Sequence, residues 1–147
     1  MVSAVDDGVG MLLNKLNELN LMENTLIFFL SDNGGPEEHN GSNNGVLRAG
    51  KGSVYEGGFR VPFALQWKGT LEPGTYHKPV SSMDIFGTIS ALSGSPIKPD
   101  KPLDGKNLVP FLTGEKQDGP HEAIYLRQYD AKRFAVRHGD YKLVTLE

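Results

Sequence analysis

The sequence predicts an α/β sheet followed by a small antiparallel β segment, and three patterns predict it. An amphipathic helix leads into a continuous apolar strand, a second strand leads into a capped helix, and the tail changes to short alternating strands.

Val5, Val9, Leu12, Leu13, Leu16 and Leu19 recur at helical spacing with Asn14, Lys15, Asn17 and Glu18 between them, which predicts a helix over residues 4–20 with one buried face. Asp6 and Asp7 fall in its predicted first turn, where negative charge offsets the helix dipole. The run Thr25-Leu26-Ile27-Phe28-Phe29-Leu30 is bounded by Asn24 and by Ser31-Asp32-Asn33-Gly34-Gly35, and reads as a parallel strand covered on both sides. Residues 34–58 are rich in Gly, Asn and Ser, a loop of the length associated with function. A strand over residues 61–67 follows, with Pro62 near its start, where a missing amide is tolerated.

Ser81 is placed to cap a helix reaching residue 92, with Asp84 three positions on, an apolar stripe of Ile85, Phe86, Ile89 and Leu92, and Gly94 as its stop. Residues 95–106 carry Pro96, Pro99 and Pro102 among lysines and aspartates, and read as a linker wrapping over the surface. Residues 123–128, 133–137 and 141–145 read as short strands, the last two joined by His138-Gly139-Asp140 as a hairpin. Three regions follow: residues 1–98 as a portion of an α/β core, 99–120 as linker and short helix, and 121–147 as the start of a small antiparallel β subdomain.

With 147 residues and 38% hydrophobic content the chain can bury one core. A net charge of -3 gives no basic footprint for nucleic acid, and no apolar run approaches the roughly 20 residues that cross a bilayer, so neither nucleic acid nor membrane is an expected partner. The absence of cysteine excludes disulfides and thiolate metal sites. No signal-peptide pattern precedes the first helix, an opening expected of an excised fragment, and Leu146-Glu147 reads as a cloning remnant. Asn40-Gly41-Ser42 matches the glycosylation acceptor triplet, a pattern short enough to arise by chance.

In open α/β sheets, ligands collect beyond the carboxyl ends of strands, and Asp32-Asn33 lies at such an end. A carboxylate and an amide carbonyl are hard donors suited to Ca²⁺ or Mg²⁺, although two ligands do not fill a shell and Asp-Asn-Gly is also an ordinary turn. Lys51 lies between Gly50 and Gly52, so the backbone can approach a ligand and the ammonium can reach a sulfate or phosphate oxygen. Taken alone, a lysine in a glycine-rich loop is more often a solvated surface charge. Glu56 and Arg60 read as structural. His39, His77, His121 and His138 lack a second histidine at metal-ligand spacing and read as surface residues. His39 alone lies between the two motifs and is a candidate substrate contact.

Residues 24–34, Asn-Thr-Leu-Ile-Phe-Phe-Leu-Ser-Asp-Asn-Gly, and 47–62, containing Gly50-Lys51-Gly52-Ser53-Val54-Tyr55-Glu56-Gly57-Gly58, resemble the C-terminal part of the type I sulfatases of the alkaline phosphatase superfamily. The likeness extends to Ser81-Ser82-Met83-Asp84-Ile85, Leu103-Asp104-Gly105 and the hairpin around Gly139, and its nearest look is to the arylsulfatase and N-acetylgalactosamine sulfatase branch. The resemblance implies an alkaline-phosphatase-like sheet sandwiched by helices, with Asp32 and Asn33 as calcium ligands and Lys51 as the sulfate-binding catalytic lysine. It implies hydrolysis of sulfated sugars or aryl sulfates through a formylglycine nucleophile, in an exported protein.

Formylglycine is made from a Cys/Ser-x-Pro-x-Arg motif, and the chain contains none. The expectation is therefore a C-terminal fragment, inactive alone and binding calcium weakly. Such a fragment would expose sheet surface and self-associate. Two alternatives stay open: a phosphatase or phosphonate hydrolase of the same superfamily, and a non-catalytic module binding a glycan or partner.

Overall fold

A computed structural model describes residues 1–94, 102–128 and 132–145. In chain order these form α1 (Val2–Glu18), a 3₁₀ turn (Met22–Asn24), β1 (Ile27–Leu30), α2 (Glu37–Asn40), α3 (Glu56–Phe59), β2 (Phe63–Gln66), α4 (Met83–Leu92), α5 (Val109–Leu112), β3 (Ala123–Arg127), β4 (Phe134–His138) and β5 (Tyr141–Val144). β1 and β2 make one sheet; β3, β4 and β5 make another, in that order.

The mixed α/β class agrees with the sequence, but the orientation of β1 does not. β1 pairs antiparallel with β2, Phe28 opposite Leu65 and Leu30 opposite Phe63. An apolar run reports that a strand can be buried and carries no information on direction. Nor is β1 covered on both faces, since Phe29 is 51% exposed. The Phe28 and Phe63 rings meet edge to face at 6.2 Å, and the Trp67 indole donates to the Glu23 carbonyl at 2.9 Å, tying the end of β2 to the turn before β1.

The expected buried face of α1 is also absent: none of its residues is buried. Val9, Leu13 and Leu16 are half-covered, whereas Val5, Leu12 and Leu19 lie in the open because no described element packs over them. The helix starts at Val2, so Asp6 and Asp7 sit beyond its first turn, outside the reach of the dipole argument.

α4 inverts the sequence reading. Its buried residues are Asp84, Gly87 and Thr88, a helical face at i, i+3 and i+4, while Phe86, Ile89 and Leu92 are exposed. Ser81 does act at the N-terminus: its hydroxyl accepts the Met83 N–H at 3.3 Å and its own N–H donates to Asp84 Oδ2 at 2.7 Å. Gly94, at φ +68°, ends the helix as expected.

The buried face of α4 receives residues 105–108, part of what the sequence presents as a surface linker. Gly105 is buried, and a Cβ there would stand 2.0 Å from the Met83 carbonyl oxygen. Lys106 N–H donates to Asp84 Oδ1 at 2.8 Å, and Leu108 N–H donates to the Thr88 hydroxyl at 3.0 Å. Proline-rich composition predicts irregular backbone, and irregular backbone can still be packed when a helix supplies the missing hydrogen-bond partners. Residues 95–101 of that predicted linker, and Leu146-Glu147, lie outside the described residues.

The three C-terminal strands follow the sequence within a residue or so. β3 and β4 pair antiparallel with Tyr125 opposite Val136, and β4 and β5 turn at Gly139 (φ +55°) and Asp140, with His138 opposite Tyr141. His121, just before β3, is not the surface residue expected. Its side chain is 8% exposed, and Nε2 donates to both oxygens of Asp84 at 2.8 and 2.9 Å. Asp84 is thus fully enclosed and accepts from the approach to α4, from the segment before α5 and from the approach to the C-terminal sheet.

Candidate functional site

The turn after β1 and the lysine loop touch through their backbones. Lys51 N–H donates to the Gly35 carbonyl at 3.3 Å, two residues beyond Asn33, and Gly34 N–H donates to the Gly58 carbonyl at 3.1 Å. Gly57 N–H donates to the Arg48 carbonyl at 2.9 Å, so the start of α3 is bonded to the chain just ahead of Lys51. Two glycines permit this closeness. A Cβ on Gly34 would fall 1.6 Å from the Gly57 oxygen, and one on Gly57 would fall 1.7 Å from the Ala49 oxygen.

Val54, completely buried, anchors the loop from inside, and the Arg48 guanidinium stacks over the Tyr55 ring at 4.0 Å. Ala49 takes the left-handed conformation at φ +60°, which a residue with a Cβ adopts only when its surroundings hold it there.

On this rigid backbone the side chains singled out by sequence are uncommitted. Asp32 and Lys51 are exposed, Asn33 is half-buried, and among the described residues none of their side-chain polar groups has a hydrogen-bond or ion-pair partner. No group of three or more histidine, aspartate or glutamate side chains among the described residues is placed to hold a metal ion. His39, on α2, bonds through its backbone to the Pro36 carbonyl at 2.9 Å and keeps an exposed imidazole with no partner among the described residues.

Two further groups bind the site together, Asn44, which the sequence reading passed over, and Glu56. The Asn44 amide pairs with the Gly35 peptide on both sides, accepting its N–H at 2.9 Å and donating to its carbonyl at 3.0 Å, and also donates to the Ala49 carbonyl at 3.1 Å. Asn44 was legible only as one of several turn-forming asparagines. Glu56, at the start of α3, accepts from Lys142 at 2.7 Å and from Arg137 at 3.4 Å, with Arg60 farther off at 3.9 Å. The structural role read for Glu56 holds, but its main partners lie on β5 and β4, more than 80 residues away. No local pattern reports a pairing of that separation.

Two hollows lie elsewhere. One of ≈ 220 Å³ is lined by Lys78, His121 and Arg137, and one of ≈ 450 Å³ by Phe63, Leu65, Tyr76 and Leu108. Neither includes Asp32, Asn33 or Lys51.

Residues 1–95 match the Sulfatase family. Mouse steryl-sulfatase is 42% identical over 132 residues, covering 84% of this chain and 21% of the relative, and human arylsulfatase A is 41% identical over 144 residues, covering 94% and 28%. Among solved structures, Ps i-CgsB superposes with a TM-score of 0.90 at 39% identity, covering 100% of this chain and 33% of the other. A Bacteroides thetaiotaomicron structure from work on the metabolism of multiple glycosaminoglycans superposes at 0.81 with 30% identity, covering 96% and 31%. The chain therefore spans about a fifth to a third of the length of these proteins.

Proposed function

The chain belongs to the sulfatase family, and from that premise we propose that it forms the C-terminal portion of a calcium-dependent sulfuric ester hydrolase, with Asp32 and Asn33 as calcium ligands and Lys51 on the sulfate. The single observation that carries this reading is the contrast between backbone and side chains. Two hard oxygen donors and one ammonium stand without partners among the described residues, on loops that are hydrogen-bonded to each other.

The donor set fits calcium in part. A carboxylate and an amide carbonyl, with no cationic side chain paired to them among the described residues, are the oxygen ligands a hard cation takes, and the remaining positions of a six- to eight-fold shell fall to residues beyond those described here. Calcium bound there would draw electron density from sulfate oxygens. Lys51 would bind the same group as a point charge, favouring the transition state as negative charge moves onto the departing ester oxygen. The bonds among Gly34, Gly35, Lys51 and Gly58 fix the backbone from which the lysine side chain extends, so the main chain needs little rearrangement when substrate arrives.

The residues do not fit a formylglycine, since neither cysteine nor a Ser-x-Pro-x-Arg motif is present. No nucleophilic step is assigned to this chain, and the chain alone is expected to be inactive. Sulfated sugars or aryl sulfates are the proposed substrates of the complete enzyme, and an exported location goes with the same reading. His39 receives no role in it. The apolar side chains left open on α1 and α4 support packing against further sheet and helices in a complete sulfatase, and self-association of the chain by itself. Sedimentation as a monodisperse monomer at high concentration counts against that part.

The test of the site is calcium calorimetry on the complete enzyme together with turnover of 4-nitrophenyl sulfate. Asp32→Ala is expected to weaken calcium binding and turnover together. An unchanged calcium titration removes Asp32 from the metal.

A further inference from the structure

We propose that Asn44 is a positioning residue that fixes the distance between the cation-binding turn and the anion-binding lysine, an inference that rests on the roles assigned above to Asp32, Asn33 and Lys51. Asn44 touches neither ligand. Its amide instead holds the backbone at two points that bracket the site: the Gly35 peptide, two residues past Asn33, and the Ala49 carbonyl, two residues before Lys51.

Three features of the geometry single this side chain out. The pairing with Gly35 uses both the N–H and the carbonyl of one residue, and so two successive peptide groups, which fixes orientation as well as distance. The Gly35 carbonyl is shared, accepting from Asn44 Nδ2 at 3.0 Å and from Lys51 N–H at 3.3 Å, which makes it the common hinge of the two loops. The second donor bond falls on Ala49, the residue held at φ +60°, and strained backbone persists where its surroundings over-determine it. Asn44 is itself held, its backbone N–H donating to Glu37 Oε1 at 2.5 Å and its carbonyl accepting from Leu47 N–H at 3.2 Å.

Removing the amide frees Ala49 and Gly35 to relax, and Lys51, one residue from a glycine on each side, moves with them. A shift of about 1 Å in a group that must meet a transferring sulfate costs on the order of 100-fold in rate. The loss falls on the lysine's contact with sulfate and leaves the distant Asp84 centre untouched, so it separates from general unfolding.

The experiment compares Asn44→Ala, Lys51→Ala and the double variant in the complete enzyme. Three readings are taken: kcat/KM for 4-nitrophenyl sulfate, the affinity for inorganic sulfate by calorimetry, and the thermal midpoint. Asn44→Ala is expected to lower kcat/KM about 100-fold and to weaken inorganic sulfate in step. Adding it to Lys51→Ala should cost little more than Lys51→Ala alone, because both changes disable one contact. Asn44→Asp, which keeps the size and the acceptor but loses both donor bonds, should match Asn44→Ala and carries the test if the alanine variant does not fold. A fall in thermal midpoint with kcat/KM and sulfate affinity of the folded protein within about threefold of the parent, or full additivity in the double variant, overturns the proposal. Unchanged turnover and sulfate affinity in Lys51→Ala instead overturns the site assignment itself, and the positioning role with it.

Discussion

The surroundings of Asp84 and those of Asp32 show two opposite uses of a carboxylate. Asp84 is fully enclosed and takes hydrogen bonds from Ser81, Lys106 and His121, joining α4, the segment before α5 and the C-terminal sheet. Asp32 stands exposed at the end of β1 with no partner among the described residues, although the backbone around it is bonded at Gly34 and Gly35. A buried carboxylate must be satisfied by its own protein, since an unpaired one is too costly to keep. One left unpaired on fixed backbone is available to something that arrives later. The polar centre that holds the fold and the polar centre proposed to act are therefore separable.

Substitutions test that separation, beginning with the largest effect. Asp84→Ala removes the fully enclosed carboxylate from three part-buried donors and is expected to destabilise the protein by about 3–5 kcal/mol, read by chemical denaturation; a loss below about 1 kcal/mol removes the contrast with Asp32. Lys51→Ala should lower sulfate-ester turnover of the complete enzyme by about 10²–10³-fold with an unchanged denaturation midpoint, and near-normal turnover takes Lys51 out of the site.

Glu56→Gln keeps shape but surrenders charge-assisted bonds to Lys142 and Arg137, so about 1–3 kcal/mol of stability should go. Because α3 packs on the lysine loop, a modest fall in turnover should accompany it. Loss of stability with full activity would show that the C-terminal sheet does not shape the loop. The smallest effect is Ala49→Gly, which relieves a left-handed alanine and should gain no more than about 1–2 kcal/mol, read as a small rise in thermal midpoint.

Glu56 and Asp84 also mark the limit of what the chain discloses in one dimension. Glu56 was legible as a structural residue of the glycine-rich turn and Asp84 as the acidic residue three positions after Ser81 at a helix start, where it does accept the Ser81 N–H. Their long-range partners, Arg137, Lys142 and His121, come from the C-terminal sheet and its approach. The stripe of Phe86, Ile89 and Leu92 misled for a related reason: periodicity locates an apolar face but not the element that covers it, and in this chain residues 105–108 cover the polar face.

What the residues settled alone is local. Apolar spacing placed α1 and α4, turn chemistry at Gly139 placed the β4–β5 hairpin, and the Asp32-Asn33 and Gly50-Lys51-Gly52 signatures carried the family resemblance. Tertiary structure alone decided the antiparallel direction of β1, the burial of His121 against Asp84, and the Asn44 amide that joins one loop to the other. Propensity and short-range patterns act over a few bonds, whereas strand direction and polar pairing depend on which distant segments the folded chain brings within hydrogen-bond reach.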